Sequence, residues 1–342
     1  MTRFGLVVVA STRGGCELPW SFSSFGPYVP AMSEAGEVAF QATFTDGRSG
    51  AFVVGARSAP RAVISGEGQL AAVVSHPDLN ASGDLCFYGE TVSGARALFL
   101  FPAGGAAPCE AAAPRPGWGV GSAGPTMNEG GEVAFRTERI GQRAGGGVGV
   151  AQGEGAREVY ATLEGEVHGL PLMGEDGSIV FRHDEPDGSH VISVCGPQGR
   201  LDSVVRSGGR FVSLGRFPAC LASGGVCFTG TKRGGGDGVF YCLDGRLEEV
   251  VDAGVTFESI RGALVDGVGR VVFYATPRGG TLGIYRGMHP TNDRILGLGD
   301  ALLGSVVVDL ALNPVSINQA GQFAIRVALA DGQEAILRVN GR

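Results

Sequence analysis

The stretch Pro125-Thr126-Met127-Asn128-Glu129-Gly130-Gly131-Glu132-Val133-Ala134-Phe135 sets the organisation of this chain, because its pattern returns at regular intervals. When the copies are aligned on the closing residue, which is aromatic in six of them, seven copies end at Phe40, Phe87, Phe135, Phe181, Phe228, Phe273 and Ile325. The spacings between these residues are 47, 48, 46, 47, 45 and 52. The intervals show no apolar spacing of about 3.6 residues, so they do not predict helices.

Each copy predicts the same local structure. An apolar triplet such as Val133-Ala134-Phe135 is typical of a short strand buried on both faces. A glycine stands four residues before the closing residue in all seven copies, which predicts a left-handed turn between two strands. In five of the seven copies a Ser, Asn or Asp stands three residues ahead of that glycine, where its side chain is expected to accept a hydrogen bond from its own turn. A proline nearby suits an innermost strand with few ladder partners.

The repeat as a whole predicts a seven-bladed β-propeller of four-stranded antiparallel blades. Turn signals such as Asp46-Gly47 and Asp187-Gly188 separate further strands in each copy, and a period of about 40 to 50 residues is typical of propellers. The seventh copy lacks a fourth strand, and Leu6-Val7-Val8-Val9 is expected to fill that place and close the ring. The single domain 1–342 then divides into blades at roughly 22–67, 68–116, 117–164, 165–209, 210–252, 253–297 and 298–342 plus 3–10.

The Asn-x-x-Gly-x-Val-Ala-Phe unit resembles the bacterial tandem-repeat proteins known by that motif, whose repeats are similar to propeller blades. The resemblance covers essentially the whole chain. The copies with Gly174 or Leu221 at the Asn position depart from it. It implies an architecture and no particular activity.

Composition excludes some classes of function. The formal charge of −7 and the absence of a basic run argue against a nucleic-acid partner. No apolar run approaches the roughly 18 residues that span a bilayer, and the start is too short for a signal peptide, so a cytoplasmic location without a membrane partner is expected. Seven cysteines without a Cys-x-x-Cys pair indicate neither a disulfide framework nor a zinc knuckle, and no cofactor is predicted.

Candidate ligand-binding residues lie just before the prolines, where innermost strands converge on a central channel. Arg216 and Arg261 come from adjacent blades and are expected to converge on one carboxylate or phosphate. The polar residues of these segments form the predicted site, together with a nearby tryptophan; they are Tyr28, Ser75, His76, Trp118, His168, Arg216, Arg261 and Asn313. Polar residues at such positions are also often merely solvated.

A second constellation is the stretch His183 to His190. If Pro186-Asp187 form the centre of a two-residue turn, His183 and His190 oppose each other across a hairpin, close enough to contribute to a metal site. The alternative is that His183 is a core histidine, because neighbouring copies carry small residues at its position. No third ligand is apparent in the sequence, so metal binding is the lesser interpretation.

Three functions remain open. The first is a binding or scaffold protein that holds a peptide or small acidic molecule at the channel mouth, as an accessory of a partner enzyme in a biosynthetic pathway. The second is a propeller enzyme, a lyase, hydrolase or cyclising enzyme, with His76 or His168 as general acid or base. The third is a purely structural interaction module, which a channel filled with apolar side chains would favour.

Overall fold

The repeat folds into seven antiparallel sheets, as the sequence predicts. The computed structural model describes residues 4–14, 16–56, 58–66, 68–105, 107–141, 145–153 and 155–341; residue 3 of the predicted closing segment lies outside these ranges. Within them the secondary structure is β-strand apart from a 3₁₀ turn at Pro314–Ser316. The protein is therefore an all-β, seven-bladed propeller.

The strands follow the repeats along the chain. The closing strand and blade I contain β1 (Leu6–Ser11), β2 (Ala31–Met32), β3 (Val38–Thr43), β4 (Ser49–Val54) and β5 (Arg61–Ile64). Blades II and III contain β6 (Leu70–Val73), β7 (Asp78–Leu79), β8 (Leu85–Thr91), β9 (Arg96–Phe101), β10 (Cys109–Ala112), β11 (Gly119–Val120), β12 (Thr126–Met127), β13 (Val133–Glu138), β14 (Gly146–Gln152) and β15 (Gly155–Thr162). Blades IV and V contain β16 (Val167–Met173), β17 (Ile179–Asp184), β18 (His190–Cys195), β19 (Leu201–Arg206), β20 (Phe211–Leu214), β21 (Ala219–Cys220), β22 (Val226–Lys232), β23 (Asp237–Leu243) and β24 (Arg246–Asp252). Blades VI and VII contain β25 (Phe257–Val265), β26 (Val271–Pro277), β27 (Gly283–Tyr285), β28 (Arg294–Gly297), β29 (Ala301–Leu302), β30 (Ser305–Ala311), β31 (Phe323–Leu329) and β32 (Glu334–Val339).

The repeated glycine has the conformation that its invariance within the chain predicts. All seven copies, of which Gly131 at φ 77° is typical, lie in the left-handed region, in the turn between the first and second strand of a blade. The Asn side chain also accepts as predicted: Asn128 Oδ1 accepts from the Glu132 backbone N–H at 2.9 Å. Its amide does more, because Asn128 Nδ2 donates to the Gly174 carbonyl of the next blade at 3.3 Å. The motif thus joins neighbouring blades as well as closing its own turn.

The innermost strand of most blades is interrupted at the predicted prolines. In blade II, β6 and β7 both pair with β8, and the segment between them contains Pro77. The same break separates β11 from β12 and β20 from β21, while β16 stays continuous with a register shift between His168 and Leu172. These breaks turn residues inward and form the wall of the central channel.

The ring closes through its two ends. β1 pairs antiparallel with β32, from Leu6 opposite Val339 to Ser11 opposite Ala335, and supplies the outer strand that the seventh repeat lacks. Ala10 is fully buried and packs with aromatic residues of blade I. The predicted closure is confirmed.

Candidate functional site

The channel has two chemically different ends. One end, here called the turn mouth, carries the turns between the first and second strands and includes Glu34, Glu129 and Glu175. The other, here called the loop mouth, includes His168 at the start of β16 and Arg216, which lies in the break between β20 and β21. In blade IV, His168 and the turn that follows Met173 lie at opposite ends of the inner strand.

The waist between the mouths is filled. Val29, Leu170, Phe217 and Val315, from four different blades, belong to one apolar cluster, and Leu170 is 1% exposed. His76 lies in the same segment of blade II and is 4% exposed. Its Nδ1 lies 3.2 Å from the Pro77 carbonyl, and among the described residues its Nε2 has no partner. The waist between the two mouths is therefore lined by apolar side chains from four blades that pack in one cluster.

His76 is built into this wall. A Cβ on Gly124 of blade III would collide with the imidazole ring, so only glycine fits beside it. The preceding residue, Ala123, has a φ of 89°, an uncommon conformation for a residue with a side chain. Burial lowers the pKa of His76 to about 4, which keeps the ring neutral near pH 7. The predicted candidate is thus a neutral histidine that is almost completely buried.

The turn mouth holds a cavity of about 600 Å³. Its floor is apolar and includes Met32, Met127, Leu172 and Val315. Six acidic residues line it, namely Glu34, Asp78, Glu129, Glu175, Asp176 and Asp266, and within the described residues no Lys, Arg or His does. The size of the cavity and its apolar floor are typical of a ligand site, and the six carboxyl groups set the charge that a ligand would need.

Three glutamates form part of a ring around this cavity. Glu129 Oε2 accepts from the Ala81 backbone N–H of the preceding blade at 2.8 Å, and Glu175 Oε2 accepts from the Glu129 backbone N–H at 3.1 Å. Glu34 closes the ring between blades VII and I by accepting from the Gln319 backbone N–H at 3.0 Å. Burial, with the charges of Glu129 and Glu175 adding to it, raises the pKa of Glu34. The backbone contacts hold these negative charges in place at the mouth.

Asp78 lies deeper in the same cavity. Its two carboxylate oxygens accept from the backbone N–H groups of Leu79 and Met127, at 2.9 and 2.8 Å. Burial raises the pKa of Asp78 to about 7, and the charges of Glu129 and Glu175 act in the same direction. The carboxyl group therefore changes its charge close to neutral pH.

The loop mouth holds a histidine and carboxylate pair. His168 Nε2 lies 2.8 Å from one oxygen of Asp184, and Arg182 Nη2 donates to the other oxygen. This contact suits the tautomer in which Nε2–H donates to Asp184 and Nδ1 carries the lone pair. The His168 side chain is 17% exposed, whereas that of Arg182 is only 5% exposed. This pair has the chemistry of a general base oriented by a carboxylate.

Arginines surround that pair. A Cβ on Gly169 would collide with the Arg216 carbonyl, so the segments of blades IV and V that carry His168 and Arg216 are in contact. Arg136 of blade III lies 3.8 Å from the carboxylate of Glu166, which is also 3.9 Å from His168. Arg261 lies farther round the ring, over the Tyr274 ring at 5.8 Å.

The remaining predicted site residues have structural surroundings. Ser75 Oγ donates to the His76 carbonyl and accepts from the Tyr88 backbone N–H. Asn313 Oδ1 caps the 3₁₀ turn by accepting from the Val315 backbone N–H at 3.1 Å. Trp118 packs 6.1 Å from the Phe135 ring in the core cluster of blades II and III. Tyr28 is half-buried, and burial raises its pKa although Arg96 lowers it in part.

The predicted pairing of His183 with His190 is wrong. The turn contains three residues, with a Gly188 φ of 79°, so Asp184 pairs with His190 and His183 pairs with Val191. This shift of one residue sends the two histidines to opposite faces of the sheet. His183 lies between Tyr160 Oη and Ser193 Oγ, each 3.1 Å away, which is the alternative core interpretation.

Comparisons with known proteins identify the architecture. No protein-family model and no curated protein matches the sequence. Among solved structures, an oligogalacturonate lyase in complex with manganese is 9% identical, with a TM-score of 0.60 over 100% of this chain and 99% of that one. An oligogalacturonate lyase from Vibrio parahaemolyticus is also 9% identical, with a TM-score of 0.60 over 99% of this chain and 97% of that one. An acylaminoacyl peptidase from Pyrococcus horikoshii is 11% identical, with a TM-score of 0.56 over 92% of this chain and 53% of that one.

These likenesses show the propeller fold alone, because the identities are low. The resemblance to the tandem-repeat proteins stays a prediction. In the part of the chain that the structure describes, no group of three or more His, Cys, Asp or Glu residues is placed to hold a metal ion. No helix among the described residues has the length and hydropathy needed to cross a membrane.

Sequence reasoning missed the turn mouth. Its glutamates follow directly after the Ser, Asn or Gly that opens each turn. Only a structural role in the turn was predicted for this part of the repeat. The signal was present, since three copies carry a glutamate two residues before the invariant glycine; the column reads Glu34, Ala81, Glu129, Glu175, Ala222, Gly267 and Gln319.

Proposed function

We propose that the protein is a binding protein whose turn mouth holds a cationic ligand with an apolar part. The observation that carries this proposal is the cavity of about 600 Å³ with an apolar floor, six acidic lining residues and no basic one among the described residues. A ligand with a positive charge would complement the glutamate ring, and its apolar part would cover the floor. This reverses the charge expected of the ligand from Arg216 and Arg261.

The site's chemistry favours binding over reaction at this end. The carboxylates are held by backbone N–H groups, and the waist behind them is apolar. The filled waist is also what a purely structural module would show, but such a module gives no reason for a charged cavity above it. A partner enzyme that receives the ligand remains part of the proposal.

The test compares two probes of similar shape and opposite charge, 2-phenylethylamine and phenylacetate, by isothermal titration calorimetry. We expect the amine to bind and phenylacetate not to bind. Exchanging Glu129 and Glu175 together for Gln should weaken amine binding by about tenfold or more, equivalent to about 1.4 kcal/mol. The Gln side chain keeps a carbonyl oxygen for the backbone N–H contacts, so the change removes charge and spares the ring.

The matched control is Glu110→Gln, an exposed acid on the outer strand β10, which should leave the amine affinity unchanged. Equal binding of the two probes, or an affinity unaffected by the double variant, would refute the proposal.

A second candidate is an enzyme that acts at the loop mouth on a carboxylated substrate. The observation that favours it is the His168–Asp184 pair, with Arg182 bonded to the same carboxylate and the exposed Arg216 on the adjoining segment of blade V. Nδ1 of a neutral His168 would accept a proton next to a substrate carboxylate held by Arg216. His76, in contrast, is too buried to serve.

Oligogalacturonate is the probe for this candidate, because it carries carboxylates and is named as the substrate class of fold neighbours. We expect turnover by the natural chain and a loss of at least about a hundredfold in His168→Gln. His289→Gln is the control, since His289 is exposed in a loop of blade VI and its Nδ1 accepts from the Asn292 backbone N–H at 3.0 Å. Absence of turnover, or full turnover by His168→Gln, would rule out this reaction.

We also propose a cytoplasmic location. All seven cysteines are free thiols in the structure, a state that persists in reducing compartments. Cell fractionation would test this, and recovery of the protein outside the cytoplasm would contradict it.

A further inference from the structure

A second cavity continues outward from the turn mouth. Its volume is about 830 Å³, and it lies between blades V and VI. The two cavities share four lining residues, namely Leu221, Ala222, Asp266 and Gly267. They therefore form one continuous depression, here called the exit groove, which runs from the turn mouth past Ala222 to Tyr241 and Leu243.

The rim of the turn mouth is lowest where the exit groove leaves it. The repeat position that carries Glu34, Glu129 and Glu175 in other blades carries Ala222 in blade V and Gly267 in blade VI. Neither has a side chain that reaches the preceding blade as the glutamates do. A chain bound in the mouth can thus pass between blades V and VI without displacing the glutamate ring.

The walls of the exit groove suit a peptide. Tyr241 Oη donates to the Gly269 carbonyl at 2.5 Å and so joins blade V to the turn of blade VI. Leu243 and Val268 are 37% and 75% exposed and offer apolar contact. Two acidic residues, Asp244 and Glu248, and one basic residue, Arg246, line the walls in addition to the shared Asp266.

The acidic excess of the continuous depression comes from the turn mouth, where Glu34, Glu129 and Glu175 lie. Asp266 adds no net negative charge, because Arg286 Nη2 and Arg270 Nε each lie 2.8 Å from its Oδ2. This excess of acid complements a chain with basic residues. Each cavity has the size of a site for one small ligand, so the two together exceed what a single small metabolite fills.

We propose that the ligand is an extended basic peptide, with one cationic residue in the turn mouth and the following residues in the exit groove between blades V and VI. This rests on the proposed cationic site at the turn mouth and names the class of ligand it takes. Successive side chains of an extended peptide alternate in direction, so every second residue would contact Leu243 and its neighbours.

The test measures the affinities of three amidated peptides, Phe-Arg, Phe-Arg-Leu-Ser and Phe-Arg-Leu-Ser-Leu-Ser, beside 2-phenylethylamine. We expect the affinity to rise about tenfold or more from the shortest to the longest peptide. Leu243→Ser and Ala222→Trp should each abolish most of this gain, the first by removing apolar contact and the second by closing the rim. Leu243 lines only the exit groove, so Leu243→Ser should leave 2-phenylethylamine binding within about twofold.

The matched control is Ser82→Trp, which changes an exposed residue in the equivalent turn of blade II that lines neither cavity. It should leave the gain with length unchanged. If 2-phenylethylamine binds but the peptides show no gain, the exit groove is refuted and the cationic site stands. If the rise in affinity with peptide length persists in both groove variants, this path is refuted. The peptide would then be expected to leave the mouth across blade IV, toward Pro197. Failure of 2-phenylethylamine to bind would refute the cationic site itself.

Discussion

His76 and Asp78 are two buried titratable residues whose pKa values move in opposite directions. Burial lowers the pKa of His76 from 6.5 to about 4, so between these values the folded protein binds fewer protons than the unfolded chain. Its contribution to the free energy of unfolding is then present above pH 6.5 and is lost as the pH falls through 4. Burial raises the pKa of Asp78 from 3.8 to about 7, so its contribution is present below pH 3.8 and is lost as the pH rises through 7.

Single substitutions should separate these opposing slopes. We expect His76→Gln to make the slope of the free energy of unfolding against pH more negative between about pH 4 and 6.5. We expect Asp78→Asn to make the same slope more positive. Each change in slope is bounded by about 1.4 kcal/mol per pH unit, the value for one proton. Urea denaturation at several pH values measures this slope. The slope is not affected by losses of stability that are independent of pH, such as the loss of one hydrogen-bond acceptor in Asp78→Asn. Slopes equal to that of the natural chain would contradict the assignment.

The turn between the first and second strands is the element on which the repeat depends. Two adjacent glycines in one such turn, Gly130 and Gly131, allow the role of the left-handed conformation to be tested with a matched control. Gly131 has a φ of 77° and open space around it, so an added Cβ would cost only backbone strain. We expect Gly131→Ala to lower the free energy of unfolding by about 1–2 kcal/mol. Gly130 precedes it without a positive φ, and a Cβ there would make ordinary contact 3.4 Å from Asn128 Oδ1. Gly130→Ala should be neutral or stabilise by up to about 1 kcal/mol, because it restricts the unfolded chain.

Thermal denaturation of the two variants checks this prediction. Equal stabilities would show that the left-handed conformation is not what selects the glycine.

Elements could be read from the sequence where they depend on local rules. The turn glycines and the interrupted inner strands follow from backbone conformation, which each repeat shows on its own. The hairpin after Asp184 was misread because Pro-Asp-Gly permits either a two-residue or a three-residue turn, and one residue moves every side chain to the other face. The second role of Asn128 was also hidden, since its partner, the Gly174 carbonyl, belongs to the next repeat.

The site was less predictable than the fold, because its contacts also join residues of different repeats. The Glu129 and Glu175 contacts run between blades and exist only when the ring brings equivalent turns side by side. A column that varies among the repeats marks such a position, but the letters alone do not show which end of the channel it faces. The role of His168 in a ligand site stays a prediction, and its partner Asp184 lies on the next strand, in the hairpin for which metal binding was the lesser interpretation.

The whole molecule depends on the closing strand β1. Because β1 pairs with β32, its removal can be followed by a rescue experiment. β1 covers the outer edge of β32, and Thr12 extends the contact because the Glu334 backbone N–H donates to its Oγ1 at 3.0 Å. Deleting residues 1–14 would uncover that edge and remove Ala10 from the core of blade I. We expect a lower denaturation midpoint and self-association through the exposed edge, measured by thermal scanning and size-exclusion chromatography.

The same segment should pair with β32 when it is attached to the other end of the chain. Because Leu6 lies opposite Val339, a short glycine linker after Gly341 could carry residues 4–14 back along β32 in the native direction and register. We expect this transplant to restore both the midpoint and the monomer, because the ladder requires the segment's position and not its order in the sequence. A deletion variant as stable and monomeric as the natural chain would show that the closing strand is dispensable. A transplant that fails to restore the midpoint while the deletion lowers it would show that the covalent link from β1 to blade I stabilises the ring.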